Sequence, residues 1–223
     1  MNRRRPTLLA ALALTAATAL TLSACGGSDE EGSAKDKGSD KIAGADTGSE
    51  KKSSPSPSAS AAAGRPKIEF PSDAENVFEY EKTGDPVKDA VLADSVLSVN
   101  SVDEAIFAGS TDTEALGFYN AEKALSGSIA YALGYIKKDD TWVGETRYFD
   151  YKVSLSGADE AYVTYCSDES KSFIKNKKTG KVEDTPTTAD SYVLYSTKLE
   201  KSADGVWQTT DVASNRGSKE CQP

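Results

Sequence analysis

Histidine is absent from the sequence. Its absence removes the commonest general base at neutral pH and the commonest transition-metal ligand, so Ser-His-Asp and Cys-His machinery cannot be built here. Cysteine is scarce: three residues, Cys25, Cys166 and Cys221, are too few for a closed four-ligand zinc site without histidine. There is also no Gly-rich phosphate loop and no nucleophile motif. Asp139-Asp140 and Asp168-Glu169 lack the alternating acidic spacing with a glycine that a calcium loop requires, and read as solvated turns. The expectation is therefore no metal and no cofactor. The remaining candidates for acid-base work, Asp, Glu, Tyr and Lys, need desolvation to act near neutral pH.

The chain has 26 basic and 35 acidic residues. Three of the basic ones, Arg3, Arg4 and Arg5, fall in a leader, so the remainder carries about −12. Such an acidic domain is repelled by phosphate backbones and anionic lipid heads, which argues against nucleic acid as a partner.

What the sequence does contain begins with that leader, residues 1–24. Asn2-Arg3-Arg4-Arg5 is a basic start, and Leu8 to Leu22 is an uncharged stretch rich in Ala, Leu and Thr. About 15 apolar residues are short for a bilayer span, and no stop-transfer pattern follows, so the segment reads as a cleaved signal peptide. Leu22-Ser23-Ala24-Cys25 resembles the bacterial lipobox, which implies a Cys25 carrying lipid, palmitate among its acyl chains, at the outer face of the cell membrane. An ordinary signal-peptidase site with an incidental cysteine is the alternative. Both general secretion and twin-arginine export suit the basic start.

Residues 25–66 are built from Gly, Ser, Ala, Lys, Asp and Glu, with Ile42 the one large aliphatic residue before Arg65. Nothing there can form a core, and the segment reads as a disordered tether. A flexible coil of about 40 residues has a root-mean-square reach of about 35 Å, enough to hold a domain clear of the membrane.

Residues 67–223 have the patterning of one folded domain, helices first and strands later. Asp85-Pro86 is an N-cap followed by proline at the first helical position, with helical spacing toward Leu97. Ser101-Val102-Asp103-Glu104 matches a capping box that would start a second short helix closed by Gly109. Ala121, Ala124, Leu125, Ser128, Ile129, Ala132, Leu133 and Ile136 share one helical face, interrupted by Gly127 and Gly134, which call for a bend or a close neighbour. From Thr141 the period drops to two, and four strands are expected at about 142–155, 159–167, 190–201 and 205–214. Asp168 to Ala189, rich in lysine, reads as a mobile crossing between strands. The fold class is α+β, helices on a curved antiparallel sheet.

With Cys25 used by lipid, Cys166 and Cys221 form an even pair in an oxidising compartment, and a disulfide is expected. Closing about 54 intervening residues contributes about 4 kcal/mol in the chain-entropy picture. A redox-active pair is the alternative, without C-x-x-C spacing to support it.

Ala115-Leu116-Gly117-Phe118-Tyr119-Asn120, Ala161-Tyr162-Val163-Thr164-Tyr165-Cys166, Ser191-Tyr192-Val193-Leu194-Tyr195, Gly205-Val206-Trp207-Gln208 and Arg216-Gly217 before Cys221 together carry a resemblance. The chain from about Gly84 to Cys221 resembles actinobacterial secreted lipoproteins with an NTF2-like, cystatin-like cone. The resemblance implies a fold and a location. Related cones include dehydratases that use a His-Asp pair, excluded here, and isomerases that use an Asp base and a Tyr donor. In this sequence Asp150 with Tyr119, Tyr135, Tyr148 or Tyr151 could supply such a pair. The stronger reading is a non-catalytic binding or interaction module that takes a small apolar ligand or an envelope protein, in a concavity lined by Tyr119, Tyr135, Tyr151 and Trp207 rather than by an acid-base pair. Trp207 is weighed as core or pocket wall. Trp142 is expected at the domain edge, half exposed over a helix end.

Overall fold

A computed structural model describes residues 64–223. The signal-peptide and lipid readings, Cys25 included, lie outside the described residues, as does the tether up to residue 63.

The elements run β1 (Ala74–Phe78), α1 (Pro86–Ala108), α2 (Glu114–Tyr119), α3 (Glu122–Ile136), β2 (Asp140–Leu155), β3 (Glu160–Asn176), a short 3₁₀ turn (Ala189–Ser191), β4 (Tyr192–Lys201) and β5 (Trp207–Arg216). One five-stranded sheet in the order β1-β2-β3-β4-β5 packs against the helices, so the α+β class and the four long strands are as the sequence implies. The addition is β1. It pairs parallel to β2, and the three helices form the crossover that a parallel pair requires.

α1 begins as expected, with the Asp85 side chain accepting from the backbone N–H groups of Val87 (2.8 Å) and Lys88 (3.3 Å). It does not stop at Ser101. No Gly or Pro interrupts the chain between Val87 and Ala108, and the Ser101 hydroxyl donates back to the carbonyl of Ser98 at 2.7 Å. That back-bond belongs to a helix interior, so the capping-box expectation is corrected: one helix of 23 residues replaces two. Gly109, in the left-handed region, closes it.

β3 continues to Asn176, beyond its expected end near 167, because β2 is long enough to pair with it over nearly its whole length. Lys171 and Lys175, assigned from sequence to a mobile crossing, stand in this strand and pair with Glu145 (3.0 Å) and Asp73 (2.8 Å). The irregular crossing contracts to residues 177–188.

Three one-residue irregularities break the ladders. They fall between Glu145 and Arg147 opposite Lys171 and Asp168, between Phe149 and Lys152 opposite Cys166 and Thr164, and between Lys198 and Leu199 opposite Asp211 and Thr209. Each bulge bends its strand and reverses which side chains face the helices beyond it. On β2 the concave set is Trp142, Thr146 and Tyr148 before the bulge, then Tyr151, Val153 and Leu155 after it. Asp150 is the residue at that bulge, with φ 55°.

The core lies in three places. Val91 and Leu92 of α1 pack on Ala161, Val163, Tyr165, Leu199 and Trp207 at one end of the sheet. Ala105, Ile106, Leu116 and Ala132 surround Trp142 at the other. Ala115, Tyr119 and Val206 form the third. Arg65, placed by sequence in the tether, docks on the domain: its guanidinium forms a paired contact with the buried Asp94 carboxylate, which also accepts from the Trp207 backbone N–H at 2.9 Å. The ion pair raises the Arg65 pKa, and the charged, hydrogen-bonded geometry is the kind that makes a buried carboxylate tolerable. Cys166 of β3 is disulfide-bonded to Cys221, with Cα atoms 5.5 Å apart, so the last residues return to the sheet.

Gly144 sits where β1 joins β2. Its φ is +99°, and a Cβ there would lie 2.1 Å from the Lys171 carbonyl oxygen of β3. Gly157, with φ +88°, has nothing within 4 Å of the same position. Gly144→Ala is therefore expected to cost more than about 3 kcal/mol in urea unfolding and Gly157→Ala only about 1 kcal/mol, backbone strain being common to both. Equal losses in the two variants would show that the approach of β3 to Gly144 is unimportant.

Candidate functional site

Between α1, α3 and the concave face of the sheet the packing leaves a cavity of about 490 Å³. Its helical wall is made of small and polar side chains. Ser95, Ser98, Val99, Val102 and Asp103 lie along one stripe of α1 with i, i+3, i+4, i+7, i+8 spacing, and Ala124, Gly127 and Ser128 face them from α3. The sheet wall is aromatic: Trp142 and Tyr148 from β2, Tyr165 from β3, Tyr195 from β4. Tyr131 and Tyr135 of α3 complete it. The bulge on β5 sets the last part of the wall. Thr209 faces inward before it and Val212, Ser214 and Arg216 after it.

Asp103 is the chemically distinctive residue. Its side chain is 8% exposed. Trp142 Nε1–H donates to Oδ1 at 3.1 Å, and the Asn76 amide donates to Oδ2 at 2.7 Å. No cation pairs with it among the described residues. Burial is the dominant influence and raises its pKa from 3.8 to about 7, the two donors opposing and the charge of Glu169 reinforcing the rise. The Tyr148 hydroxyl is pushed well above its ordinary pKa, first by burial and then by the nearby Asp103 charge, so it remains a proton-bearing donor. Burial raises Tyr165 and Tyr195 in the same way.

Glu169 and Arg216 form the second charged group of the lining. Arg216 holds Glu169 in a two-pronged pair at 2.7 and 3.2 Å and donates to the Asp190 carbonyl at 2.7 Å. Lys123, at the rim and 82% exposed, lies 3.4 Å from Asp211. Asn120 closes the cavity floor with its amide satisfied by Ser98, Ser101 and the Leu116 carbonyl. Among the described residues no three metal-ligating side chains come together.

Of the side chains expected to line a concavity, Tyr135 does so. Tyr119 does not: it is buried at the end of α2, packed on Phe118 with the Arg65 guanidinium 5.8 Å from its ring centre. Tyr151 is turned past the β2 bulge into the core, stacked on Tyr165 at 4.9 Å. Trp207 is core, 1% exposed. Asp150, the candidate base, points to solvent and pairs with Lys152 at 3.1 Å, because the bulge places it on the convex side. Beside its aromatic residues the lining holds two acidic side chains, Asp103 and Glu169, which the sequence reading did not place there. Trp142, expected half exposed, is 5% exposed and bonded to Asp103. Gly127 and Gly134 have no protein atom near a would-be Cβ, so no close neighbour requires either glycine. The signal that could have found Asp103 is an acidic residue on the buried stripe of a helix. Its match to a capping box concealed it.

No protein-family model and no curated protein matches the sequence. Among solved structures, a ketosteroid isomerase-like protein from Erwinia carotovora atroseptica is 17% identical with a TM-score of 0.40, over 60% of this chain and 98% of that one. A putative ketosteroid isomerase from Shewanella frigidimarina is 15% identical with a TM-score of 0.32, over 58% and 98%. The intermembrane space region of the chloroplast protein ARC6 is 12% identical with a TM-score of 0.36, over 56% and 92%. At such TM-scores none of these likenesses bears on activity or on residue roles.

The raised pKa of Asp103 fixes the sign of a stability effect. The folded state holds this proton more tightly than the unfolded chain, so the group's contribution is full below about pH 4 and is lost as pH rises through about 7. Asp103→Asn removes that loss while leaving an acceptor for Trp142. In urea denaturation the variant's stability relative to the parent should rise between pH 4 and pH 7.5 by on the order of 4 kcal/mol. A difference that stays flat across this range would mean that Asp103 titrates as an ordinary solvated carboxylate.

Proposed function

We propose that the chain is a lipid-anchored module at the outer face of the cell membrane that binds a small organic molecule in the cavity between helices and sheet, without transforming it. The observation that supports this most is the cavity itself: about 490 Å³, of a size that suits a small ligand, with an aromatic wall and several side-chain hydroxyls. An NTF2-like cone, as the sequence resemblance implies, accords with this architecture. The lipid attachment at Cys25 and the outer-face location rest on the lipobox resemblance, and a tether would leave the cavity accessible to the surrounding medium.

A second reading is favoured by one observation, the buried Asp103 beside protonated tyrosines. Ionised Asp103 could take a proton from a carbon next to a ketone, a tyrosine hydroxyl could hydrogen-bond the enolate oxygen, and the proton could return at a different carbon. This is the isomerase alternative with Asp103 in the place that Asp150 was expected to fill.

The neutral dye N-phenyl-1-naphthylamine tests the first reading. Fluorescence enhancement at one dye per protein is expected, together with its loss in Ser128→Trp, which fills the cavity from α3. Dye binding unaffected by that substitution would remove the cavity from the proposal. For the second reading, the measurement is uptake of deuterium from heavy water next to the carbonyl of a cyclic enone. The binding reading expects no uptake beyond the solvent rate, and uptake that disappears in Asp103→Asn would establish proton transfer instead. Cys25→Ala is expected to release the protein from the membrane fraction. Retention with an unchanged mature N-terminal mass would exclude the anchor.

A further inference from the structure

We infer that the ligand of this cavity is an organic cation, a protonated amine or quaternary ammonium carried on an apolar body. This inference rests on the binding reading above and adds the class of molecule. It begins from the charges that line the cavity: Asp103, Lys123, Glu169 and Arg216. Glu169 and Arg216 neutralise one another through a two-pronged pair. Lys123 stands at the rim, largely in water, opposite Asp211. Asp103 alone has no opposite charge among the described residues, although it is the most deeply buried of the four.

Around that carboxylate the sheet and α3 place six aromatic rings: Tyr131, Tyr135, Trp142, Tyr148, Tyr165 and Tyr195. Tyr148, Tyr165 and Tyr195 touch in sequence, with ring centres 6.0 and 5.1 Å apart. Tyr165 is stacked between Tyr151 and Tyr195 and Tyr148 is stacked on Phe78, so these rings turn their faces to one another and offer the cavity their edges and hydroxyl oxygens. A cation entering the cavity would thus meet an uncompensated carboxylate and phenolic oxygens that accept from an ammonium N–H. Away from the rim, an anion would meet the like charge of Asp103 and no free cation, since the Arg216 guanidinium is already occupied by Glu169 and by the Asp190 carbonyl. The raised pKa of Asp103 accords with this, because an unpaired buried carboxylate resists ionisation until a cation is supplied.

The test uses displacement of N-phenyl-1-naphthylamine from the domain by three soluble compounds with one scaffold: 3-phenylpropylamine, 3-phenyl-1-propanol and 3-phenylpropionate. The amine is expected to bind at least tenfold more tightly than the alcohol, and the carboxylate most weakly. Asp103→Asn should bring amine and alcohol within about twofold of each other. Glu169→Gln leaves Arg216 uncompensated and should weaken the amine about fivefold without affecting the alcohol. That partly buried site decides the matter if Asp103→Asn fails to give a cooperative unfolding transition. Alcohol or carboxylate binding as tightly as the amine, or an amine preference unchanged in both variants, would overturn the cation assignment while leaving the binding cavity in place. A dye that never binds would instead overturn the binding reading.

Discussion

Almost everything about the cavity depends on a count of residues in strands. A β-strand alternates its side chains with a period of two, so a single extra residue exchanges the inner and outer sets from that point on. β2, β3 and β5 each contain one such irregularity. Beyond the one on β5, Val212, Ser214 and Arg216 come to face the helices, where unbroken alternation from Thr209 would have presented Asp211 and Ala213. The bulge on β2 turns Asp150 outward and Tyr151 into the core. The same extra residues increase local twist and bend, and a bent sheet cannot lie flush against straight helices. The concavity and its lining thus have one cause.

The helical wall turns that concavity into a space. Ser95 and Ser98 on α1, and Gly127 and Ser128 on α3, are too short to fill it. Across from them the sheet provides tyrosines whose rings stack on one another, Tyr165 on Tyr195. The buried face of α1 consequently carries Asp94, Ser95, Ser98, Ser101 and Asp103 among its apolar residues. These polar groups have different solutions. Asp94 is compensated by Arg65 and a backbone N–H, and Ser98 and Ser101 bond Asn120. Asp103 has hydrogen bonds but no opposite charge, and burial raises its proton affinity.

Composition and periodicity made the fold class legible. The N-cap at Asp85, the closing Gly109, the long strands after Thr141 and the juxtaposed Cys166 and Cys221 all have local or arithmetic signatures. β1 had little such signature, since Ala74–Phe78 is five residues long with polar positions and gains its order from pairing with β2. The Lys-rich stretch after Asp168 misled because exposed strand positions and solvated loops share a composition; only the length of β2 decides between them. The site was less legible for a related reason. Tyr119, Tyr151 and Trp207 are aromatic residues of the same domain as Tyr135, and what separates core from lining is the β2 bulge for Tyr151 and the place along α2 and β5 for Tyr119 and Trp207, which no residue type announces.

Asp103 illustrates how a strong local pattern can hide a tertiary role. Ser-Val-Asp-Glu satisfies the rule for a helix start, and within a shorter window nothing contradicts it. The contradiction comes from outside the window: α1 has already begun at Pro86, and neither Gly nor Pro intervenes to end it. Once the helix is continuous, Asp103 falls two turns from Ser95 on the same stripe. Trp142 then arrives from the start of β2 with its indole N–H aimed at the carboxylate, and Asn76 arrives from β1. Two strands separated in sequence by the three helices therefore meet at one helical carboxylate, which couples the parallel β1–β2 pairing to the chemistry of the cavity. A change in that pairing would withdraw the Asn76 donor while Trp142, paired with Ile174 of β3, stayed in place, so the parallel strand that the sequence concealed supplies one of the two hydrogen bonds to the carboxylate that the sequence disguised.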